Sequence, residues 1–97
     1  MASSIVVHED AQIEITAALD YYKEISEELS DDLLVKFRQA VNEIADHPKL
    51  FPVIRGKYRK INLERFPFKI VFRMKEDELN IVAFAHHKRK PNYWRRR

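Results

Sequence analysis

The residues from His86 to Arg97 form the chemically most distinctive part of the sequence. This segment interleaves six Lys and Arg side chains with Tyr93 and Trp94. Cations neutralise phosphates and aromatic rings stack on bases, at about 1–3 kcal/mol per stacked base, so the composition suits nucleic acid binding. Charged runs near chain ends commonly remain in water, and the alternative is therefore a solvated tail with Trp94 folded back as an apolar anchor. Composition alone favours this second interpretation.

His86 and His87 offer acid–base chemistry rather than metal binding. Adjacent residues of a strand point to opposite faces, so these two side chains cannot hold one metal ion from a strand. His8 and His47 add no spacing that would complete a metal site. A histidine can act as a general acid or base near neutral pH, but the sequence offers no visible partner carboxylate. We therefore predict no metal site and favour a structural or surface role for both histidines.

A second group of cations lies on predicted strands: Arg59, Lys60, Lys69, Arg73 and Lys75. If several of them project from one face, they form a platform that could hold a phosphate and stabilise charge developing on it. The alternative is the ordinary solvent-side alternation of an antiparallel sheet. The lack of Cys excludes thiol nucleophiles and Cys-type zinc sites, and a single Gly excludes a glycine-rich nucleotide loop. We expect no cofactor.

The charges divide unevenly along the chain, although the net charge is only +3. Residues 1–48 contain 11 Asp and Glu against 3 Lys and Arg, a net charge of −8. Residues 49–97 contain 4 acidic against 15 basic side chains, a net charge of +11. A field of one sign attracts polyanions or an acidic protein segment without identifying the partner. Nucleic acid and an acidic protein are both candidates.

Two helices are predicted to follow a short strand at Ile5–Val7. The first begins at His8–Asp10, and its apolar residues recur at spacings of three and four, with Glu14 among the charged residues that face water. Ser30 or Asp31 is suited to cap the second helix. A short connection between two amphipathic helices favours an antiparallel hairpin. The apolar stripes are Ala11, Ile15, Ala18, Leu19, Tyr22 and Ile25 in the first helix, and Leu34, Phe37, Val41, Ile44 and Ala45 in the second.

The second half of the chain is predicted to supply a sheet. Lys49–Lys57 contains a proline and the single glycine and is interpreted as an ordered loop. From Tyr58 onward the apolar period changes to two, which predicts three mostly antiparallel strands. The last strand is apolar on both faces and is predicted to be central, with Leu79, Ile81, Ala83 and Ala85 on one face and Val82 and Phe84 on the other. The predicted order is β-α-α-β-β-β, followed by a basic C-terminal tail.

Length and hydropathy predict one packed domain over residues 1–97. A chain of 97 residues matches a single compact domain, and without Cys the fold must be held by packing. No apolar stretch approaches the ~18–20 residues of a membrane span, and the three-residue apolar run in Met1–Asp10 is too short for a signal-peptide core. We expect a soluble, cytoplasmic protein without membrane contact.

Short motifs throughout the chain together resemble one family. They are Ala18–Tyr22, Phe37 with Val41 and Ile44, His47–Pro52, Arg59 with Leu63, Arg65–Ile70, and Ala83 with a terminal His86-x-x-Arg89-x-Pro91-x-x-Trp94. In this order they resemble the RelE/ParE superfamily of bacterial type II toxins. The resemblance implies a small α+β fold in which an antiparallel helical hairpin packs on a twisted, mostly antiparallel sheet. It also implies a cognate antitoxin and a toxin–antitoxin hetero-oligomer.

The ending of the sequence is similar to that of ParE-like members, which inhibit DNA gyrase and have no known catalytic residues. The resemblance then implies a gyrase-inhibiting toxin of the plasmid-stabilisation type that blocks replication. The residues expected to contact the target are His86, Lys88, Arg89, Pro91, Tyr93, Trp94 and Arg95.

RelE-like members of the superfamily are ribosome-dependent mRNA endoribonucleases, and they provide the alternative. The ribosome and mRNA would then be the partners. Lys88 stands where those members carry a terminal tyrosine, and the loop before Tyr58 contains no glutamate that could act as a base, so the sequence departs from that pattern. A second alternative is a binding protein of the same fold without toxicity. The residues that would act in the ribonuclease are Arg59, Lys69, Arg73, His87, Arg89 and Tyr93.

Overall fold

A computed structural model describes residues 2–97; Met1, part of the predicted domain of residues 1–97, lies outside the described residues. The chain runs through β1 (Ser4–Val7), α1 (Glu9–Ile25), α2 (Glu27–Asp46), a 3₁₀ turn (Pro48–Leu50), β2 (Val53–Arg55), β3 (Tyr58–Asn62), β4 (Phe68–Lys75) and β5 (Glu78–His86). The five strands form one sheet in the order β1-β5-β4-β3-β2. β1 pairs with β5 in parallel, and the other neighbours are antiparallel. The predicted α+β class is therefore confirmed.

One strand was missing from the prediction. The loop predicted over Lys49–Lys57 contains the edge strand β2, which pairs with β3 through Val53 opposite Arg59 and Arg55 opposite Tyr58. Three residues are too few to display a period of two, so the sequence pattern could not reveal this strand. Gly56 follows with a φ of +52°, a left-handed conformation that favours glycine in the tight turn between the two strands.

The two helices meet at a single residue, Ser26. Its backbone N–H donates to the Tyr22 carbonyl at the end of α1, and its hydroxyl accepts from the Leu29 N–H at the start of α2. The predicted cap at Ser30 or Asp31 is wrong, because Ser30 lies inside α2 and donates its hydroxyl to the Leu19 carbonyl at 2.9 Å. A serine within a helix can thus bond a neighbouring helix instead of capping its own.

The main core lies between the helices and one face of the sheet. Its helical part consists of Ala11, Ile15, Ala18, Leu33, Ala40 and Ile44, and its sheet part includes Ile61, Ile70, Phe72, Leu79, Ile81 and Phe84. The helical spacing of three and four places the first set on the inner stripes of α1 and α2. No helix in the described chain is long and apolar enough to cross a membrane.

A bulge in β5 changes which residues share a face. Val71 lies opposite Ala83 and Phe72 lies opposite Ile81, so Val82 is an extra residue on β5. The predicted strict alternation is therefore wrong, because Phe84 joins Ile81 in the main core whereas Val82 and Ala83 both belong to a second cluster. Two consecutive apolar side chains consequently face away from the helices, where they can support another segment.

Candidate functional site

The C-terminal segment, defined here as residues 87–97, docks on the sheet face opposite the helices. Trp94 is only 2% exposed and packs with Val71, Val82 and Ala83. The Tyr58 ring meets the indole edge to face, with 4.8 Å between ring centroids. The predicted Trp94 anchor is confirmed, and residues 87–91, 95 and 96 are exposed as expected of a solvated tail. Tyr93 and Arg97 depart from that expectation, because both are half-buried.

Glu14 of α1 holds the same segment through polar contacts. Its carboxylate accepts a hydrogen bond of 2.6 Å from the Tyr93 hydroxyl and a two-pronged contact of 2.7 and 3.2 Å from the Arg97 guanidinium. The expectation that Glu14 faces water is wrong, since its side chain is 14% exposed. A charged residue outside the apolar stripe of a helix is ordinarily predicted to face water. The sequence near Glu14 could not reveal its partners, because they lie about 80 residues away in the chain.

The Glu14–Arg97 pair also completes the edge of β5. β1 ends at Val7, and the next residue, His8, donates its N–H to the Ile81 carbonyl. Beyond that point the Phe84 N–H donates to Glu14 at 3.1 Å, and the Val82 carbonyl accepts from Arg97 at 3.1 Å. Unpaired backbone groups at a buried edge cost free energy, so these two side chains replace the missing length of β1.

Burial and hydrogen bonding shift the pKa values of this network in directions that preserve its charges. Burial raises the pKa of Glu14, but the hydrogen bonds from Arg97, Tyr93 and the Phe84 N–H outweigh burial and hold that pKa below its ordinary value. Burial lowers the pKa of Arg97, and the hydrogen bond to Glu14 overcomes this and raises it. Burial and the bond to Glu14 both raise the pKa of Tyr93. Tyr93 is therefore a stable donor and is poorly suited to act as a base.

Two guanidinium groups lie against the ring of Tyr93. The Arg89 guanidinium carbon is 3.9 Å from the ring centroid, and that of Arg97 is 5.0 Å from it. Arg89 also approaches Glu14, with 3.8 Å between nitrogen and oxygen. These contacts are cation–π interactions, and they occupy the ring that the sequence offered for base stacking.

Several residues expected to contact a target remain exposed on the docked segment. Lys88, Arg89, Pro91 and Arg95 are exposed. His86 is half-buried at the end of β5, where its Nδ1 accepts the Lys88 N–H and its ring lies edge-on to Phe68. Trp94, which was also expected to touch a target, is buried in this structure and contributes to the docking of the segment on the sheet.

The six residues expected to act in a ribonuclease are not brought together. Arg59 pairs in register with Phe72 and shares its face, the helix side, where it donates to the Phe51 carbonyl at 2.6 Å. Successive side chains of a strand point to opposite faces of the sheet. Lys69 and Arg73 occupy the alternate positions of β4 and therefore lie on the side away from the helices. His87 is exposed in the turn after β5, and Arg89 and Tyr93 are engaged with Glu14 as described above.

The predicted cationic platform forms without one of its members. Lys60 lies opposite Val71, and Lys69 and Arg73 flank Val71 on β4, so these cations share the sheet face that carries Trp94. Arg59 is absent from this face, because it pairs with Phe72 and lies on the helix side of the sheet. Residues 2–97 bring together no group of three or more His, Asp or Glu side chains that could hold a metal ion.

An open apolar groove separates α1 from the ends of β4 and β5. Its volume is about 390 Å³, and Tyr21, at 63% exposure, lies at its rim, whereas Tyr22 is half-buried. The other lining residues include Ala17, Phe68, Phe84, His86 and Arg89. The groove therefore adjoins the docked segment through Arg89.

Comparisons with known proteins agree with this geometry. The sequence model of the family described as "ParE toxin of type II toxin-antitoxin system, parDE" matches residues 5–91. Toxin ParE2 of Mycobacterium tuberculosis, from strains CDC 1551 / Oshkosh and H37Rv, is 27% identical over 93 residues, which cover 95% of this chain and 89% of that toxin. A solved structure titled "Chromosomal ParDE TA system from P. aeruginosa" superposes with a TM-score of 0.75 at 23% identity, covering 86% of this chain and 94% of that one.

Proposed function

The chain belongs to the family of ParE toxins of type II toxin–antitoxin systems, and we propose that it inhibits DNA gyrase through the exposed surface of its docked C-terminal segment. Inhibition of gyrase blocks replication, which makes the chain toxic when it is not neutralised.

The docking of the segment is the observation that carries this proposal. Trp94 and Glu14 fix the backbone on both the sheet and α1, while Lys88, Lys90 and Arg95 point their charges outward. A surface that is ordered before binding loses less conformational freedom when it meets a partner. The segment is therefore suited to contact a large protein target without a reaction of its own.

The same geometry weighs against a ribonuclease. General acid–base chemistry requires the reacting groups to lie within hydrogen-bond reach of one substrate. Arg59 bonds to a backbone carbonyl on the helix side of the sheet, whereas Lys69 and Arg73 lie on the other side. The Tyr93 hydroxyl donates a hydrogen bond to Glu14, and its raised pKa keeps it in the neutral form.

A cognate antitoxin is the second partner that we propose. The solved structure named above is a ParDE toxin–antitoxin system, and the family description likewise places its members in such systems. The toxin and antitoxin would form a hetero-oligomer in the cytoplasm, where gyrase also resides. The acidic helical half and the basic half of the chain provide two surfaces of opposite charge for two partners.

Expression of the chain alone in growing cells tests the proposed target. We expect filamentation, a DNA-damage response and altered nucleoids while pulse-labelled protein synthesis continues. The variant Lys88→Ala with Arg95→Ala removes two exposed cations from the segment and should restore growth. The matched control is Lys23→Ala with Arg38→Ala, which removes two exposed cations from the helices and should remain toxic.

Two results would contradict the proposal. An immediate stop in translation would indicate a ribosomal target and the ribonuclease alternative. Equal loss of toxicity in the segment variant and in the helix control would show that overall charge matters and that the docked segment has no special role. Immunoblots at equal expression, with circular dichroism of the purified variants, exclude misfolding as the cause of restored growth.

A further inference from the structure

The basic half of the chain leaves most of its charge uncompensated. Residues 49–97 carry 15 Lys and Arg side chains, and all of these residues are described by the structure. Within this half, carboxylates pair with Arg65, Arg89 and Arg97. Arg59 is occupied by the Phe51 carbonyl on the helix side of the sheet, and the other cations of this half have no carboxylate partner within residues 2–97.

Three of these cations surround one cleft. Lys57, Arg73 and Lys75 line a hollow of about 420 Å³ at the end of the sheet where the β2–β3 and β4–β5 turns meet. Glu76 also lines the cleft, while Glu78, opposite Lys75 in the register, accepts a hydrogen bond from Asn80 at 2.7 Å. The side chains that line the cleft therefore carry an excess of positive charge, which attracts anions.

Arg73 provides a second observation that points to a ligand. Its Nε is buried and has no hydrogen-bond partner within residues 2–97. Its guanidinium carbon lies 5.8 Å from the centroid of the Tyr58 ring, which in turn contacts Trp94. A buried donor without a partner is costly. The Arg73 side chain also lines the cleft, and a guanidinium binds phosphate oxygens well. The Arg73 side chain is thus held in place beside the cleft with bonding capacity unused.

The positive surface extends from the cleft across the sheet. Lys60 and Lys69 lie on the same face by register, and Arg96 follows the Trp94 anchor and is exposed. Several cations on one face suit the repeated negative charge of a nucleic acid backbone. A single small anion would leave most of these cations without a partner.

The aromatic side chains decide which form of nucleic acid the surface fits. Binding of single strands relies on bases stacked on exposed rings. Here Trp94 is buried, Tyr58 packs against it, and Tyr93 is occupied by Arg89 and Arg97. Cations without free rings suit contacts to the phosphates of a duplex.

We propose that the cleft of Lys57, Arg73 and Lys75, continued by Lys60 and Lys69, binds the phosphate backbone of duplex DNA without reading its sequence. This inference deepens the proposed function, on which it rests for its biological site, because gyrase acts on duplex DNA. The toxin then contacts the DNA held by gyrase with this cleft and the neighbouring Lys60 and Lys69, while Lys88 and Arg95 of the docked segment contact the enzyme.

Fluorescence anisotropy with a labelled DNA duplex and the isolated chain tests the inference without gyrase. The logarithm of the association constant should fall linearly with the logarithm of salt concentration, with a slope of about −0.9 for each phosphate neutralised. The variant Lys57→Ala with Lys75→Ala should reduce the steepness of this slope by about 2 and weaken binding on the order of tenfold per lysine at roughly 0.1 M salt. Lys23→Ala with Arg38→Ala makes the same change in net charge on the helices and should bind as the wild type does.

Three outcomes would overturn the inference. They are equal weakening by the cleft and helix variants, tighter binding of a single strand than of the duplex, and no binding of the duplex at low salt. A chain that fails to bind duplex DNA but still inhibits gyrase refutes this inference and leaves the proposed function standing. Binding of DNA without any effect on gyrase refutes the proposed function instead.

Discussion

Replacement of Glu14 by Gln should release the C-terminal segment while the rest of the fold stays intact. The carboxylate accepts hydrogen bonds from Tyr93, from two nitrogens of Arg97 and from the Phe84 N–H. A neutral amide of the same shape loses the ionic part of these contacts and leaves the Arg97 guanidinium, 14% exposed, with only the longer contact of 3.7 Å to the Asp10 carboxylate. Hydrogen bonds to charged groups contribute about 1.5–3 kcal/mol each, so we expect docking to weaken by about 2–3 kcal/mol.

Trp94 provides the assay, because it is the single tryptophan and is buried by docking. Its fluorescence reports the segment, whereas far-ultraviolet circular dichroism reports the helices. In urea, the Glu14→Gln fluorescence transition should move to lower denaturant by about 1–2 M and precede the loss of helix. Glu24→Gln is the control, since Glu24 is an exposed residue of the same helix. Coincident transitions at the wild-type midpoint in Glu14→Gln would refute the reasoning.

Acid should reproduce the same release in the wild type. The folded pKa of Glu14 lies below its unfolded value of about 4.5, so its contribution to stability is complete above that pH. The contribution is lost as pH falls from the unfolded value through the folded one. Trp94 fluorescence should therefore shift in this interval, and the component due to Glu14 should be absent from Glu14→Gln.

Three further substitutions test other parts of the account. Trp94→Ala should lower the free energy of unfolding by about 3–5 kcal/mol, because it removes the central side chain of the second cluster. Urea unfolding followed by circular dichroism measures this loss, and a loss below about 1 kcal/mol would contradict the burial of Trp94 as a source of stability. Arg59→Ala removes the hydrogen bond to the Phe51 carbonyl and should lower the free energy of unfolding by about 1–2 kcal/mol while leaving gyrase inhibition intact. Loss of toxicity in a folded Arg59→Ala variant would instead support a ribonuclease. Ser26→Ala should cost about 1 kcal/mol through the lost cap of α2, with Ser26→Gly closer to wild type; equal unfolding midpoints for Ser26→Ala and wild type would exclude the cap.

The sequence predicted the elements that depend on local periodicity. Ala11, Ile15 and Ala18 in α1 and Ile44 in α2 face the core as expected, because helical spacing is a property of consecutive residues. The predicted stripes are wrong at Ile25, which is 60% exposed at the end of α1, and at Leu34, whose place in the core is taken by Leu33. The alternation of Phe68, Ile70 and Phe72 in β4 was likewise confirmed. The sequence also predicted that the last strand is apolar on both faces, and the burial of Ile81, Val82, Ala83 and Phe84 confirms this.

The remaining features depend on contacts between distant parts of the chain. The bulge at Val82 arises from the pairing of β5 with β4, so the local sequence of β5 alone does not predict it. Glu14 resembles any exposed helical glutamate until Arg97 folds back beside it. The placement of Arg59 on the helix side follows from strand register, so a list of cations could not separate it from Arg73. The match to the family model ends at residue 91, so it does not include Arg97 and its contact with Glu14.

A supercoiling assay with purified gyrase tests the central claim most directly. The chain is titrated into gyrase, relaxed plasmid and ATP, with the Lys88→Ala, Arg95→Ala variant and the Lys23→Ala, Arg38→Ala control in parallel. We predict loss of supercoiling with the wild type and the helix control, and a marked recovery with the segment variant. Full supercoiling in the presence of excess folded wild-type chain would contradict the account.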